Sequence, residues 1–314
     1  MPRFDITVAG ELNLDVILYG LPHELPLERE LLADNMMATL GASSAILAHN
    51  FAALGGNVGF ISKIGDDPLG QIAVERLAAG GVDVQKVIRA AGRTTGLSVI
   101  LQRGGQRTIL TYPGTMCEMT FEDLDLDYLT SGRHFHCCSI FLQKQLRPRL
   151  PELFRHMKQA RLSTSLDTND DPEDRFDGVP EILKYIDVFL PNEREACMIA
   201  GTDDLEEALR RLAGLVPVVA IKLGARGSIA RRGQERAEAP GVTVNAIDAV
   251  GAGDSFDAGF LYQHLRRADL QTCLEYGNLA GALSTTQPGG TEAFRRRDRI
   301  KDFFREKGQV AVGD

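Results

Sequence analysis

The 314-residue chain carries 35 Lys and Arg against 43 Asp and Glu, which gives a formal net charge of −8. This acidic balance does not support binding to nucleic acid or to an anionic membrane, because both require a basic surface. Five cysteines without a CxxC pair, the absence of a signal-peptide core, and apolar runs all shorter than the ~20 residues of a membrane helix predict a reduced, cytoplasmic protein.

Short apolar runs alternate along the chain with segments whose apolar residues recur at helical spacing. In chain order, the first half predicts a strand over residues 6–10, a helix over 42–54, a strand over 58–62 and a helix over 68–79. Further along it predicts strands over 135–139, 164–167, 188–190 and 218–223, and helices over 150–160, 193–200, 205–213, 254–266 and 271–285. This alternation predicts an α/β fold with a mostly parallel central sheet and helices on both faces.

Two segments in the first third of the chain interrupt the alternation. Residues 18–40 show no clear period, whereas residues 96–102 and 107–112 are strand-like and are joined by Arg103-Gly104-Gly105-Gln106, a hairpin signal. We expect the two segments to meet as a small sheet outside the main one. The pattern alone fits a mobile β lid over a cleft and an edge hairpin without function equally well.

The most informative stretch is the loop Gly251-Ala252-Gly253, which runs into a helical segment that starts with Asp254 and Ser255. Small residues allow backbone N–H groups to converge at the positive end of a helix, where they can bind an anion. A carboxylate there would repel phosphate, unless its task is to remove a proton from a hydroxyl that attacks the phosphoryl group. Taken alone, an ordinary turn followed by a helix-stabilising acid is the simpler interpretation.

A longer motif around this loop, together with a second motif far upstream, favours the functional interpretation over an ordinary turn. Asp248-Ala-Val-Gly-Ala-Gly-Asp254 resembles the C-terminal signature of the ribokinase family of sugar and nucleoside kinases, the phosphofructokinase-B superfamily, with Ala249 in place of a threonine. Far upstream, Gly41-Ala-Ser-Ser-Ala-Ile-Leu-Ala48, followed by Leu54-Gly55-Gly56, resembles its N-terminal signature. The resemblance implies a single ribokinase-like kinase domain over residues 1–314, with lid segments at about 16–40 and 96–113. It also implies ATP-dependent phosphoryl transfer, with Mg²⁺, to a hydroxyl of a sugar or sugar-like substrate.

The resemblance assigns a role to each matching residue. Asp254 corresponds to the general base, and the amides of Gly251, Ala252 and Gly253 correspond to an anion hole. The residues implied to bind the substrate are Asn13, Asp15 and Gly41, together with Asp254. The residues implied for the nucleotide are Asn192, Lys222, Gly224, Gly227 and Asn278. Magnesium is assigned indirectly to Glu195, a monovalent cation such as K⁺ to Asp248 and Val250, and homodimer formation to the lid.

Several of these residues also have an explanation in local structure alone. Asn13 and Asp15 fit an Asx turn after a strand. Asn192 and Glu195 fit a helix N-cap with its capping box, and both roles can hold together. Lys222, at the end of a strand, could extend its ammonium into solvent without any ligand.

The chain lacks the signatures of competing classes and departs from the family at two positions. It contains no Gly-Lys-Ser/Thr P-loop, no Gly-x-Gly-x-x-Gly after the first strand and no Gly-x-Ser-x-Gly elbow. Ala42 stands where the family has a second glycine, and Ile46 stands where ribose-specific relatives have a sugar-binding asparagine. Losing that asparagine leaves a substrate hydroxyl unpaired, at a cost of about 1–3 kcal/mol, which argues against plain ribose.

Three hypotheses follow from the sequence. The first is a sugar kinase. The second is a nucleoside kinase on the same scaffold, in which Phe141 and Tyr112 are the candidates for clamping a base. The third is a catalytically silent sugar-binding protein, which the intact Asp254, Gly251 and Gly253 disfavour.

Overall fold

The computed structural model describes residues 2–103 and 106–308. Gly104 and Gly105, the centre of the predicted hairpin turn, lie outside the described residues. Described strands are β1 Phe4–Ala9, β2 Asn13–Tyr19, β3 Asn35–Gly41, β4 Val58–Gly65, β5 Asp83–Ala90, β6 Leu97–Arg103, β7 Gln106–Tyr112, β8 Gly132–Cys138, β9 Ser163–Asp167, β10 Val188–Phe189, β11 Val218–Lys222, β12 Gly227–Arg232 and β13 Glu235–Pro240. Described helices are α1 Ser43–Ala53, α2 Pro68–Ala79, α3 Leu126–Thr130, α4 Leu150–Gln159, α5 Val179–Leu183, α6 Glu193–Ala200, α7 Leu205–Leu212, α8 Ala252–His264, α9 Leu270–Thr285 and α10 Arg297–Gly308.

The central sheet has nine strands in the order β13-β12-β11-β10-β9-β8-β1-β4-β5. Pairing is parallel from β11 through to β5, whereas β12 pairs antiparallel with both β11 and β13 at one edge. The carboxyl ends of the parallel strands therefore meet at one edge of the sheet, which is where ligands bind in open α/β folds. This confirms the mostly parallel sheet that the sequence predicted.

Helices cover both faces of the sheet because its strands are buried on both sides. In β11, Val218 and Ala220 join a cluster that contains α1, α2, α8 and α9, whereas Val219 and Ile221 join a second cluster with α4 to α7. Successive side chains of a strand point to opposite faces, so a continuous apolar run is needed to fill both cores. None of the described helices combines the length and the apolar character that crossing a lipid bilayer requires.

A second sheet stands apart from the first, with the order β3-β2-β6-β7. The predicted hairpin supplies β6 and β7, which pair antiparallel, and β2 pairs parallel with β6. The segment without a clear period contains β3, which pairs antiparallel with β2. The two interruptions of the sequence pattern therefore do meet as a small sheet.

Candidate active site

A cleft of about 770 Å³ opens between the carboxyl edge of the large sheet and the inner face of the small sheet. The loops after β1, β8, β9 and β11 form one wall, and side chains of β2, β6 and β7 form the other. Ser98 and Ile100 on β6 and Thr111 and Ile109 on β7 alternate along their strands, so the same face of the hairpin lines the cleft. The small sheet thus occupies the position of a lid.

The amino end of α8 projects into this cleft. Gly251 is the N-cap of the helix and has a φ of 71°, a left-handed conformation that favours glycine. A β-carbon at this position would also stand 2.7 Å from Cα of Gly290, so no larger residue fits. The backbone of residues 251–253 therefore faces the cleft at the positive end of the helix dipole, as an anion hole requires.

Asp254 lies in the first turn of α8, is 7% exposed and lines the cleft. Its Oδ1 lies 3.4 Å from Nδ2 of Asn169, which donates to it from the loop after β9. Burial and the nearby Asp167 carboxylate raise the pKa of Asp254 to about 6, although the ammonium of Lys222 acts in the opposite direction. The carboxyl of Asp254 is therefore mostly ionised at neutral pH, and its carboxylate is more basic than an exposed one, which suits a general base.

The predicted substrate residues come together where β2 meets β3. Asn13 pairs with Gly41 in the strand register, and a β-carbon on Gly41 would stand 2.2 Å from Oδ1 of Asp15 and 2.7 Å from Oδ1 of Asn13. Glycine is therefore required for both side chains to approach this strand. Nδ2 of Asn13 donates to Oγ of Ser98 at 3.2 Å, whereas its buried Oδ1 accepts no hydrogen bond within the described part of the chain.

Asp15 differs from an ordinary surface carboxylate in its surroundings. It is buried, and burial raises its pKa to about 7, with further contributions from the charges of Asp254 and Asp248. A hydrogen bond with the hydroxyl of Ser98 acts in the opposite direction. Asp15 can therefore accept from, or donate to, a substrate hydroxyl near neutral pH.

A second cavity of about 480 Å³ adjoins the cleft on the other side of the α8 amino end. Both cavities share the same boundary residues, namely Lys222, Gly224, Ala249, Ala252 and Gly253. Gly227 and Asn278 line only the second cavity, and Asn278 donates from Nδ2 to the carbonyls of Ala239 and Pro240, both at 3.1 Å. The predicted nucleotide residues thus divide between the two cavities, because Asn192 lines the cleft instead.

Lys222 is the centre of a buried ion cluster at the boundary. Its Nζ lies 2.6 Å from Oδ2 of Asp167 and 3.1 Å from Oδ1 of Asp257. Burial acts to lower the pKa of Lys222, but the carboxylates of Asp167, Asp257 and Glu195 outweigh it and keep the ammonium charged. A β-carbon on Gly253 would stand 3.6 Å from Nζ, so this cation is adjacent to the anion hole.

The acidic side chains assigned to metal ions accept hydrogen bonds from backbone amides. Asn192 and Glu195 form the predicted capping box of α6, in which Glu195 accepts from the Asn192 N–H at 2.9 Å. Burial and the charge of Asp167 raise the pKa of Glu195 to about 7. Asp248 accepts from the amides of Val250 and Gly289, both at 3.0 Å, which closes the loop before α8. Within residues 2–103 and 106–308, no three His, Cys, Asp or Glu side chains are grouped to hold a metal directly.

The model of the pfkB family of carbohydrate kinases matches residues 4–296. The chain belongs to this family. It is 31% identical to a fructokinase of Klebsiella pneumoniae, over 83% of this chain and 90% of that protein. It is 30% identical to an uncharacterized sugar kinase of Archaeoglobus fulgidus, over 77% of this chain and 97% of that protein.

The fold has solved counterparts as well. An E. coli protein provisionally assigned as Ribokinase II, solved in complex with ATP and Mg²⁺, aligns with a TM-score of 0.86 at 22% identity, over 96% of this chain and 99% of that chain. At this identity the likeness demonstrates the fold alone, and it confirms the predicted ribokinase-like fold. Membership of the pfkB family confirms the expectation of a carbohydrate kinase.

Two aromatic residues considered for a base clamp do not lie in the cleft of this pfkB-family chain. Phe141 packs against Phe176 and beneath the guanidinium of Arg147, 4.4 Å from the ring centre, and lines a neighbouring cavity. Tyr112 is 57% exposed and is not among the residues that line the cleft. Neither candidate that the sequence offered for clamping a base therefore lines the cleft.

The family departures have structural consequences. Ala42 adopts a φ of 69° immediately before α1, where a residue with a β-carbon is strained. Ile46 lines the cleft and also packs behind the anion hole, since a β-carbon on Gly290 would stand 2.6 Å from its Cδ1. The apolar side chain thus supports the glycine backbone as well as shaping the substrate pocket.

Sequence reasoning missed two acidic residues of this pfkB-family site. Asp257 follows Asp254 by one helical turn, and this spacing is the only signal that could have revealed it. Glu11 is buried in the cleft wall, where Oε2 accepts from Oγ of Ser44 at 2.8 Å, and burial raises its pKa. Its signal was an acid directly after the glycine that ends β1.

Proposed function

We propose that the chain is an ATP-dependent sugar kinase that transfers the γ-phosphoryl group of ATP to a substrate hydroxyl. The observation that carries the proposal is the junction of two cavities at Gly253, with Asp254 on the cleft side of the junction. A nucleotide in the smaller cavity would direct its phosphates at the α8 amino end. A sugar in the cleft would present a hydroxyl to Asp254 from the opposite direction.

The residues of the chain then have distinct tasks. Asn13, Asp15 and the backbone at Gly41 orient the substrate hydroxyls. Asp254 removes the proton from the attacking hydroxyl, and the amides of residues 251–253 stabilise the charge of the group in transfer. Lys222, at the boundary, adds a fixed positive charge next to the anion hole, and Mg²⁺ would supply further charge to the phosphates when it is bound with the nucleotide.

Several finer assignments belong to the same proposal. The complex of the E. coli relative supports ATP and Mg²⁺ as ligands, with Asn192 and Glu195 organising the magnesium-bound phosphates through water. Gly224, Gly227 and Asn278 would surround the base of the nucleotide. A monovalent cation, K⁺, is assigned to the loop of Asp248 and Val250, and a homodimer to the lid. A cytoplasmic enzyme of one domain completes the assignment.

The cleft favours a sugar over a nucleoside. Polar side chains at its floor, Asn13, Asp15, Asp167 and Asn169, suit a hydroxylated ligand, whereas Phe141 and Tyr112 are directed elsewhere. The fructokinase relative supports a monosaccharide acceptor. A panel of hexoses, pentoses, sugar acids, phosphosugars and nucleosides, assayed for ATP consumption with Mg²⁺ and with or without K⁺, tests this. Turnover on nucleosides alone would show that the substrate is a nucleoside and not a sugar.

Asp254→Asn tests the mechanism. We expect ATP and sugar to bind normally while kcat falls by about 10²–10⁴-fold, because the variant keeps the shape of the side chain but cannot accept the proton. Asp298→Asn is the matched control, since Asp298 is also a first-turn acid but its side chain, on α10, is exposed to solvent. A kcat of Asp254→Asn close to that of the wild type would show that Asp254 is not the base.

A further inference from the structure

A separate cavity of about 460 Å³ lies behind α1, between that helix, α2 and the turn before α10. It shares no lining residue with the substrate cleft or with the nucleotide cavity. Buried Leu40, Thr291 and Phe294 line it on the inside, and charged side chains line its mouth. None of the roles described above uses this cavity.

The mouth of the cavity carries more cations than carboxylates. Its lining contains three guanidinium groups and two carboxylates. These belong to Arg76, Arg295, Arg297, Glu75 and Glu292. Glu292 alone meets two of the guanidinium groups, at 4.0 Å from Nη1 of Arg76 and 3.1 Å from Nη1 of Arg295. Because each guanidinium has five N–H donors in a fork that matches an oxyanion, these contacts leave donors for a ligand.

The inner end of the cavity offers an acceptor of hydrogen bonds. His49 is 6% exposed and lines the cavity, and its Nδ1 lies 2.9 Å from Oδ1 of Asn50. The amide of Asn50 is fixed, because its Nδ2 donates to Oγ of Ser255 at 2.9 Å and to the carbonyl of Gly290 at 3.0 Å. Its Oδ1 must therefore accept from Nδ1–H of His49, which leaves the lone pair of the neutral ring on Nε2.

No described residue forms a hydrogen bond with Nε2 of His49. Burial lowers the pKa of His49, so the ring is neutral near pH 7. Gly80 makes room for the ring, because a β-carbon there would stand 2.3 Å from Cδ2 of His49. The cavity thus combines an acceptor at its inner end with oxyanion-binding donors at its mouth.

We propose that this cavity is an effector site for a small hydroxylated anion, a phosphate monoester or a hydroxy acid about the size of glycerol 3-phosphate. The oxyanion lies against the guanidinium groups of Arg76 and Arg295. A hydroxyl of the ligand donates to Nε2 of His49. The site is distinct from the kinase centre and does not depend on the sugar that the centre accepts.

The same hydrogen bonds connect the cavity with the anion hole. Oγ of Ser255, which accepts from Asn50, donates in turn to the carbonyl of Gly251 at 2.7 Å. Gly290, the second acceptor of Asn50, packs directly against Gly251. A ligand that shifts His49 therefore acts, through one amide group, on both segments that position the first residue of the anion hole, so its binding changes kcat.

Calorimetric titration of the 314-residue chain with glycerol 3-phosphate tests the site, in the presence of Mg²⁺ and a non-hydrolysable ATP analogue that fills the kinase centre. We expect Arg295→Gln to weaken binding about tenfold, the factor for one lost charge-assisted hydrogen bond. Arg236→Gln, an exposed arginine on the edge strand β13, is the matched control and leaves binding unchanged. Absence of binding at millimolar concentration, or equal affinity in the wild type and Arg295→Gln, would overturn the site.

Parallel titrations separate the ligand classes and test the effector role. Glycerate carries a carboxylate in place of the phosphate, and it should bind if a carboxylate is a sufficient anion for the site. Glycerol carries no anion and should not bind. In steady-state assays we expect glycerol 3-phosphate to change kcat of the wild type and of Arg236→Gln but not of Arg295→Gln. An unchanged kcat of the wild type with the site saturated would overturn the effector role.

Discussion

Replacing Lys222 by methionine should strongly destabilise the protein, because it removes the only ammonium that the described residues place against two buried carboxylates. Asp167 and Asp257 are each 1% exposed, and Nζ of Lys222 lies 2.6 Å and 3.1 Å from them. Removing one partner from a buried ion cluster costs about 3–5 kcal/mol, because the remaining charge is left uncompensated. We expect Lys222→Met to lose about that much free energy of unfolding near neutral pH.

The loss should depend on pH in a defined direction. In the wild type, burial already raises the pKa of Asp257 well above its usual value, whereas Lys222 outweighs burial at Asp167 and lowers the pKa of that carboxyl. Without the ammonium, the folded-state pKa of Asp167 also rises above its unfolded value. The penalty is therefore present at pH values above these raised pKa values and disappears as the pH falls through them and the carboxylates bind protons. The difference between wild type and Lys222→Met should accordingly narrow from neutral pH towards about pH 5.

Urea unfolding at both pH values, with linear extrapolation, measures this difference. Lys184→Met is the matched control, because Lys184 pairs with Glu181 at 3.3 Å on the surface, where such a pair contributes at most about 1 kcal/mol. Adding Asp167→Asn to Lys222→Met should restore part of the stability by removing the carboxylate that Lys222 keeps ionised. A loss no larger than that of Lys184→Met, or a difference independent of pH, would refute the assignment of a buried, charged cluster.

Two further predictions concern activity and strain. Asp254 must be deprotonated to act as the base and its pKa is about 6, so kcat/KM should fall about tenfold per pH unit below pH 6. Initial rates across the acidic range measure this fall, and a flat pH profile would contradict the prediction. Ala42→Gly should stabilise the protein by about 1 kcal/mol, since glycine relieves the strain at a φ of 69° and gives back part of the gain as conformational entropy of the unfolded chain. Thermal unfolding measures this effect, and a lower melting temperature would contradict it.

The sequence predicted the buried elements of the fold well and its edges poorly. The helix predicted over residues 68–79 has the bounds of α2, Pro68–Ala79, because a proline and two glycines mark its ends. In contrast, β13 consists of Glu-Arg-Ala-Glu-Ala-Pro, an edge strand with little apolar surface, and gave no strand signal. The outer half of β3 is exposed, so it shows no alternation either. Periodicity reports burial, and these strands bury little.

The site was predictable where a motif is continuous in sequence and unpredictable where it is assembled in space. The loop before Asp254 stands next to it in the chain, so the sequence alone assigns residues 251–254 to the candidate site. Lys222 and Asp257 are brought together only by the position of β11 beside α8. Similarly, Asn50 belongs to no motif in the sequence, yet it is fully buried and holds Ser255 and Gly290 together.

Under the proposed function, the charge balance of the cleft bears on the form in which an anionic nucleotide would bind. Asp15, Asp167, Asp254 and Asp257 are all buried around the Lys222 ammonium, and burial raises the pKa values of Asp15, Asp254 and Asp257, so protons offset part of their negative charge near neutral pH. A free nucleotide would add phosphate charge beside Asp254, raise the pKa of its carboxyl further and lower the fraction of it that is ionised at a given pH. The metal complex of the nucleotide brings compensating charge to the same place. We therefore expect the cleft to bind the magnesium complex in preference to the free nucleotide, because the complex would leave a larger fraction of Asp254 ionised.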